Sequence, residues 1–283
     1  MPGTHRSAKG RTAETITGIR RGARREPRQR NADMQPTEYE ARGRYHGATA
    51  SRYDELRRNT EQWREEDDIL SDVLSALAPG SRLLDVPVGT GRLLDPACQR
   101  GHRVLGVDIS EDMLGGARHC EAVTGGRAGL TIGDIEALPL EADSVDYAFC
   151  IRFLNWVPLS VLEKALSELD RVSRKGVVVQ VKLKRPMTAG DVASALRERL
   201  GSSWRRRRRG GLAGPSPGPP VPGARTTVHG EEEFAAALGR CGLTIDKRWH
   251  LNTRMSLRYR TVSRFEFLLL VPLDGLGADR ASM

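Results

Sequence analysis

The sequence predicts an α/β domain built on a doubly wound, mostly parallel sheet. Two observations carry this. Apolar strand-like runs alternate with amphipathic helical ones from residue 61 to about residue 183, and that alternation places helices on both faces of a parallel sheet. Residues 81–108 pass from an apolar strand through Gly89-Thr90-Gly91 into a helix, then into a second apolar strand that ends in Asp108. This is half of a nucleotide-binding unit, in which glycines allow close backbone approach and a strand-end acid takes ribose hydroxyls.

In chain order, residues 36–58 read as a helical or irregular lead-in. Trp63, Ile69, Leu70, Val73, Leu74 and Leu77 recur at helical spacing over 61–78, and Ala78-Pro79-Gly80 stops that helix. Strands are expected at 82–86, 103–107, 129–132, 145–150 and 176–182, and helices at 91–100, 110–123, 158–173 and 188–200. A helix over 230–241 opens on Glu231-Glu232-Glu233, which suits the positive end of a helix dipole. Two strands close the chain, at about 243–250 and 262–271.

The glycine turn departs from the dinucleotide pattern. After Gly89 and Gly91 the third glycine is missing, and Arg92-Leu93-Leu94 follows. Asp85 stands just before the turn. A carboxylate there repels pyrophosphate and suits a ligand that carries an ammonium group. Asp85 also fits a local Asx turn. Asp108 also fits a helix N-cap, although Ser110 fills that role.

This arrangement resembles motif I of the class I S-adenosylmethionine-dependent methyltransferases, acid-x-G-x-G-x-G, with Pro87 in place of the first glycine. Proline holds φ near −65°, so the turn is expected to begin extended. Gly106-Val107-Asp108-Ile109-Ser110-Glu111-Asp112-Met113 resembles the family's ribose-binding strand end and the helix after it. Gly133-Asp134-Ile135 through Pro139 resembles its adenine-binding segment. Residues 143–150 and 176–182 resemble its fourth and fifth strands. The resemblance covers roughly residues 45–183 well and the C-terminal part weakly. It implies a Rossmann-like fold of seven strands, doubly wound and mostly parallel, with an antiparallel C-terminal strand. The cofactor it implies is S-adenosyl-L-methionine. Asp85, Val86, Pro87, Gly89, Gly91 and Cys150 would line its methionine and ribose portion, and Asp108 would bind the ribose diol. Ile109 and Met113 would pack on the adenine, Asp134 would accept from its exocyclic amine, and the Ile135 N–H would meet a ring nitrogen. Ordinary β–α turns and helix-core packing explain the glycines and Met113 equally well. Arg152, Asn155 and Trp156 follow the fourth strand, and strand carboxyl ends line the ligand crevice of such sheets, so they are expected to face substrate. Core packing is the competing reading for Trp156.

Composition bounds the alternatives. The 283 residues carry a net charge of +9, but residues 1–34 account for +6 and residues 202–230 for another +6, which leaves −3 for the rest. Residues 1–33 have few apolar side chains and are expected to be a disordered basic arm ahead of a natural start at Met34, with residues 34–283 as the methyltransferase domain. A nucleic-acid arm and a transit peptide are the other readings of that arm. Residues 201–228 combine Arg205–Arg209 with a Pro/Gly-rich stretch and read as a flexible loop. The four cysteines form no C-x-x-C pair, so no zinc or disulfide is expected. No run is long enough for a membrane helix and no apolar leader opens the chain, so a cytoplasmic protein is expected. The tetrapeptide of amino-methylating nucleic-acid enzymes, the Pro-Cys nucleophile used on cytosine and a magnesium-binding cluster are all absent. No metal is therefore expected, and His229 and His250 are lone candidate bases. These readings favour methyl transfer to an oxygen, nitrogen or carbon of a small molecule. An RNA methyltransferase gripping phosphates with the two basic segments, and a non-catalytic scaffold of the same fold, are the alternatives.

Overall fold

The computed structural model describes residues 60–193, 196–197, 227–256 and 258–273. The readings for 1–33 and 36–58, the Arg205–Arg209 run and nearly all of the 201–228 loop lie outside the described residues, as do 194–195 and 198–200 of the helix expected over 188–200, of which 189–193 and 196–197 are helical.

The element order is α1 (Glu61–Ala76), β1 (Arg82–Asp85), α2 (Leu94–Gln99), β2 (Arg103–Asp108), α3 (Glu111–Ala117), α4 (Glu121–Thr124), β3 (Ala128–Ile132), β4 (Val145–Cys150), a 3-10 turn (Leu154–Trp156), α5 (Leu159–Val172), β5 (Ser173–Pro186), β6 (His229–Gly230), α6 (Glu231–Arg240), β7 (Leu243–Ser256) and β8 (Thr261–Pro272). The sheet runs β3-β2-β1-β4-β5-β8-β7, with the short β6 pairing β5. From β3 to β5 every pairing is parallel, and β8 lies antiparallel to both β5 and β7. The doubly wound fold with an antiparallel C-terminal strand is therefore present; among the described residues the path holds the seven strands expected, and the two-residue β6 adds an eighth beside β5.

Alternate residues of each buried strand feed two cores, as strand periodicity requires. Leu84, Ala148 and Val179 join Val161, Leu162 and Leu166 of α5 and Phe234 of α6 on one face. Leu83, Tyr147, Phe149 and Val178 join Ile69, Val73 and Leu74 of α1 and Leu94 and Ala97 of α2 on the other. Thr60 and Ser110 cap α1 and α3 by accepting from Trp63 N and Met113 N.

Three boundaries differ from the sequence reading. The helix expected from residue 91 begins at Leu94, because Gly91 has φ +88° and the turn occupies the intervening residues. The helix expected over 110–123 is two helices, separated at Arg118–Cys120, where the Cys120 thiol bonds back to the Thr90 and Gly91 carbonyls. Strands β5, β7 and β8 run longer than their apolar cores, because antiparallel pairing continues out to Pro186–Thr261 and Ser256–Thr261.

The order of winding fixes where a ligand fits. From β1 the chain passes outward to β2 and β3, then returns to lay β4 on the other side of β1. The carboxyl ends of β1 and β4 thus flank a topological switch point, where open α/β sheets form their ligand crevice.

Candidate functional site

A cavity opens at that switch point. Asp85, Pro87, Val88, Gly89, Thr90, Arg92 and Leu93 line it after β1, Ile151 and Arg152 after β4, and Trp63 from the first turn of α1. Of the residues singled out from sequence, Asp85, Pro87, Gly89 and Arg152 line this cavity.

The turn is held by Asp108. Its Oδ2 accepts from Gly89 N at 2.8 Å, and its Oδ1 from Ser110 N at 2.9 Å. One carboxylate at the end of β2 therefore ties the β1 turn to the start of α3. Gly89 adopts φ +55°, a conformation that favours glycine. At Gly91 (φ +88°) a Cβ would come within 2.6 Å of the Cys120 sulfur, so a side chain is excluded there by space as well. The Val86–Pro87 peptide is cis.

Asp85 is 4% exposed. Among the described residues its carboxylate has no hydrogen-bond or ion-pair partner. Burial, reinforced by the nearby Asp108 charge and only partly opposed by Arg92, pushes its pKa up to about 8. A buried acid without donors beside a cavity is suited to a cationic ligand. Cys150 lies next to it, and burial followed by the Asp85 charge keeps that thiol protonated. Cys150 and Val86 are fully buried in the core beneath the cavity and contribute to packing.

The adenine-segment residues lie further along the same sheet edge. Asp134 Oδ1 accepts from Glu136 N at 3.0 Å, and Asp134 bridges Ala137. Ile135 and Met113 are buried, whereas Ile109 is exposed. The buried Glu168–Arg171 pair of α5 fixes this segment. Glu168 accepts from Leu138 N, and Arg171 donates to the Leu138 and Leu140 carbonyls. Asn155 and Trp156 stand in the 3-10 turn, outside the cavity lining. The Asn155 carbonyl accepts from Thr227 N, and its buried Oδ1 has no partner among the described residues.

Sequence reasoning missed the polar cluster that roofs the cavity. Glu66 of α1 is fully buried. It accepts from Arg92 Nη1 and Arg152 Nε, both at 2.7 Å, and from Gln180 Nε2 at 2.8 Å. Both guanidiniums lie over the Trp63 ring, at 3.7 Å and 4.7 Å from its centroid. Arg152 sits at φ +60°, a conformation held only where its surroundings over-determine it. Two polar residues interrupting apolar patterns were the available signal: Glu66 on the buried stripe of α1, and Gln180 within Val177-Val178-Val179-Gln180-Val181.

Among the described residues no group of three His, Cys, Asp or Glu side chains is placed to hold a metal ion, and no helix is long and apolar enough to cross a membrane.

The strand order, the switch-point cavity and the acids at the ends of β1 and β2 define a class I, Rossmann-like methyltransferase fold. Residues 83–176 match the family model described as the methyltransferase domain. Malonyl-[acyl-carrier protein] O-methyltransferase of Serratia marcescens is 35% identical over 126 residues, which cover 44% of this chain and 44% of that protein. The protein of the same name from Methylococcus capsulatus is 36% identical over 112 residues, covering 39% and 40%. The chain thus spans less than half the length of these curated relatives. Among solved structures, magnesium protoporphyrin IX methyltransferase from Synechocystis with bound SAH superposes with a TM-score of 0.55 at 20% identity, covering 81% of this chain and 97% of that one. The PH0226 protein of Pyrococcus horikoshii gives 0.53 at 19% identity, covering 78% and 95%. At these identities the likeness is one of fold.

Proposed function

We propose that this chain is an S-adenosylmethionine-dependent methyltransferase that acts on a small-molecule acceptor. The observation that carries the reading is the pair of buried acids at the switch point. Asp108 holds the Gly89 turn, and Asp85 faces the cavity with no donor of its own among the described residues. Such a site fits a ligand with a ribose diol on one side and an ammonium on the other. Asp108 would accept from the diol and Asp85 from the ammonium. Gly89 and Gly91 would let the turn pass close to the ligand. Exposed Ile109 and buried Met113 would contact the adenine, with Asp134 and the Ile135 N–H at its polar edge.

When bound, S-adenosylmethionine supplies an already activated methyl group, transferred by in-line displacement. The chain's residues then have to position the reactants and exclude water. Trp63, Arg92 and Arg152 line the cavity and would do this, with Glu66 holding both arginines. Arg152, which lines the cavity after β4, would face the acceptor. The names of the curated relatives favour oxygen as the methylated atom, and a cytoplasmic setting accords with such an enzyme.

Calorimetry with S-adenosylhomocysteine tests the reading. Replacing Asp108 by alanine removes a charge-assisted bidentate contact worth about 1.5–3 kcal/mol, so binding should weaken roughly ten-fold to more than one-hundred-fold. Equal affinity in Asp108→Ala and parent would overturn the assignment. Transfer of labelled methyl to a metabolite pool, but not to RNA, is the expected outcome for the acceptor class.

A further inference from the structure

Glu66 occupies a position of α1 that the helix buries, between Trp63 and Ile69-Leu70 on the apolar stripe. A buried carboxylate costs several kcal/mol unless its geometry is fully compensated, and an apolar residue of similar size often serves packing better. The compensation here is complete. Oε1 accepts from Gln180 at 2.8 Å and Gln62 at 2.9 Å, and Oε2 accepts from both arginines at 2.7 Å. Asp67 takes the other edge of Arg92 at 2.6 Å. Both arginines line the cavity that Asp85 lines, yet neither pairs with Asp85.

That arrangement has an electrostatic consequence. Two guanidiniums in a cavity wall would pair with Asp85 and Asp108 and repel a cation. Glu66 and Asp67 instead draw them onto Trp63. We propose that Glu66 is a positioning residue for the cofactor, acting through Arg92 and Arg152 to keep the Asp85 carboxylate as the cavity's charge for a ligand of net positive charge. The proposal rests on the S-adenosylmethionine reading and goes beyond it. It predicts discrimination between the sulfonium cofactor and its product. S-adenosylmethionine carries a sulfonium, an ammonium and a carboxylate, for a net charge of +1. S-adenosylhomocysteine has lost the sulfonium charge and is net neutral. The two differ by one methyl and one charge, so the ratio of their dissociation constants reads the charge of the site.

The test is calorimetry of the full chain with each ligand. Glu66→Gln keeps the side-chain size and removes one negative charge. Its ratio should shift about five-fold against S-adenosylmethionine, the order expected for one charge removed from the surroundings of a partly screened site. Adding Arg152→Gln to Glu66→Gln removes one positive charge in turn and should restore the parent ratio. Arg152→Gln alone should shift the ratio the other way, toward S-adenosylmethionine, so the proposal stays testable if Glu66→Gln does not fold. A merely structural role would weaken both ligands equally and lower the melting temperature, leaving the ratio within two-fold, and that result overturns the proposal. An unchanged ratio in Arg152→Gln overturns it as well. If the parent binds neither ligand, the methyltransferase reading itself fails.

Discussion

Among the described residues, two carboxylates are completely buried and each is held by two arginines, but they sit in different surroundings. Glu66 lies under the roof of the cavity, and its partners Arg92 and Arg152 are only 15% and 12% exposed. Glu266 lies in β8 near the far edge of the sheet, and its partners Arg248 and Arg264 are 34% and 24% exposed. Beside Glu66, Gln62 and Gln180 donate to it, and its two arginines lie over Trp63 and line the cavity. Around Glu266 they are half-exposed His250 and Glu231, which Arg185, Arg248 and Arg264 also approach. The same chemical device therefore serves two ends. Arginines that cannot reach water are fixed by their carboxylate, and what they line is fixed with them. Arginines at an edge can turn to solvent if their partner is lost. Burial pushes the Glu66 carboxyl up, but the Arg152 and Arg92 guanidiniums outweigh it and hold the group below the usual carboxylate range.

The comparison breaks most sharply if each carboxylate is removed. Glu66→Ala takes the buried counter-charge from two enclosed guanidiniums and leaves Arg92 with the half-exposed Asp67, which costs about 3–5 kcal/mol. Glu266→Ala leaves two guanidiniums that can re-solvate, so about 1–2 kcal/mol is expected. Chemical denaturation gives both values. Only Glu66→Ala should also weaken S-adenosylhomocysteine binding, because only its partners line the cavity. Equal destabilisation by the two substitutions would show that exposure of the arginines does not govern these clusters.

The two regions also differ in how much the sequence reveals. Asp85, Gly89 and Asp108 are legible because their roles follow from local elements: a strand end, a turn and a second strand end within 24 residues. The parallel sheet follows from alternation in the same way. The Glu66 cluster is not legible as a cluster. Its members come together only in three dimensions, Arg152 being 86 and Gln180 being 114 residues away from Glu66. What the sequence does show is the anomaly at each end, a carboxylate on an apolar stripe and an amide within a valine strand. The single long helix expected over 110–123 fails for a related reason. Helical periodicity continues across Arg118–Cys120, but Cys120 packs against the distant glycine turn and breaks the run.

A second prediction contrasts a partnered carboxylate with an unpartnered one. Asp85 is as buried as Glu66 but has no guanidinium to hold it, and its pKa stands at about 8 instead of the ordinary 3.8. The sign follows from linkage. A group raised in the folded state contributes stability that is complete below its unfolded pKa and is lost as pH rises through the folded one. Asp85 therefore erodes stability between about pH 4 and pH 8. Asp85→Asn removes that loss and should stabilise the apoprotein at pH 8, on the order of 2 kcal/mol, at the expense of ligand affinity. Thermal melts at pH 5 and pH 8 check the first part, since the gain should be larger at pH 8. In the parent, affinity for S-adenosylmethionine should rise with pH toward 8, and in Asp85→Asn it should be flat. A variant that is less stable at pH 8 would show that Asp85 is not the strained group.

The smallest effect belongs to the sheet edge. Burial lowers the pKa of His250. Glu266 pulls the other way, but Arg264 and Arg248 add to burial, and the group ends below its ordinary 6.5. A lowered histidine favours the neutral form in the fold. Its contribution is present above pH 6.5 and is lost as pH falls through that value, where the unfolded chain takes up the proton first. The side chain is 51% exposed, so solvent screening reduces the effect to about a few tenths of a kcal/mol. Between pH 7.5 and pH 5.5 the parent should thus lose slightly more stability than His250→Gln, while ligand affinity in the two proteins stays equal at every pH. The edge and the cavity would then titrate separately, one below 6.5 and felt only in stability, the other near 8 and felt in both stability and binding. A change in ligand affinity on replacing His250 would instead show that the two arginine-held carboxylates communicate through the sheet that joins them.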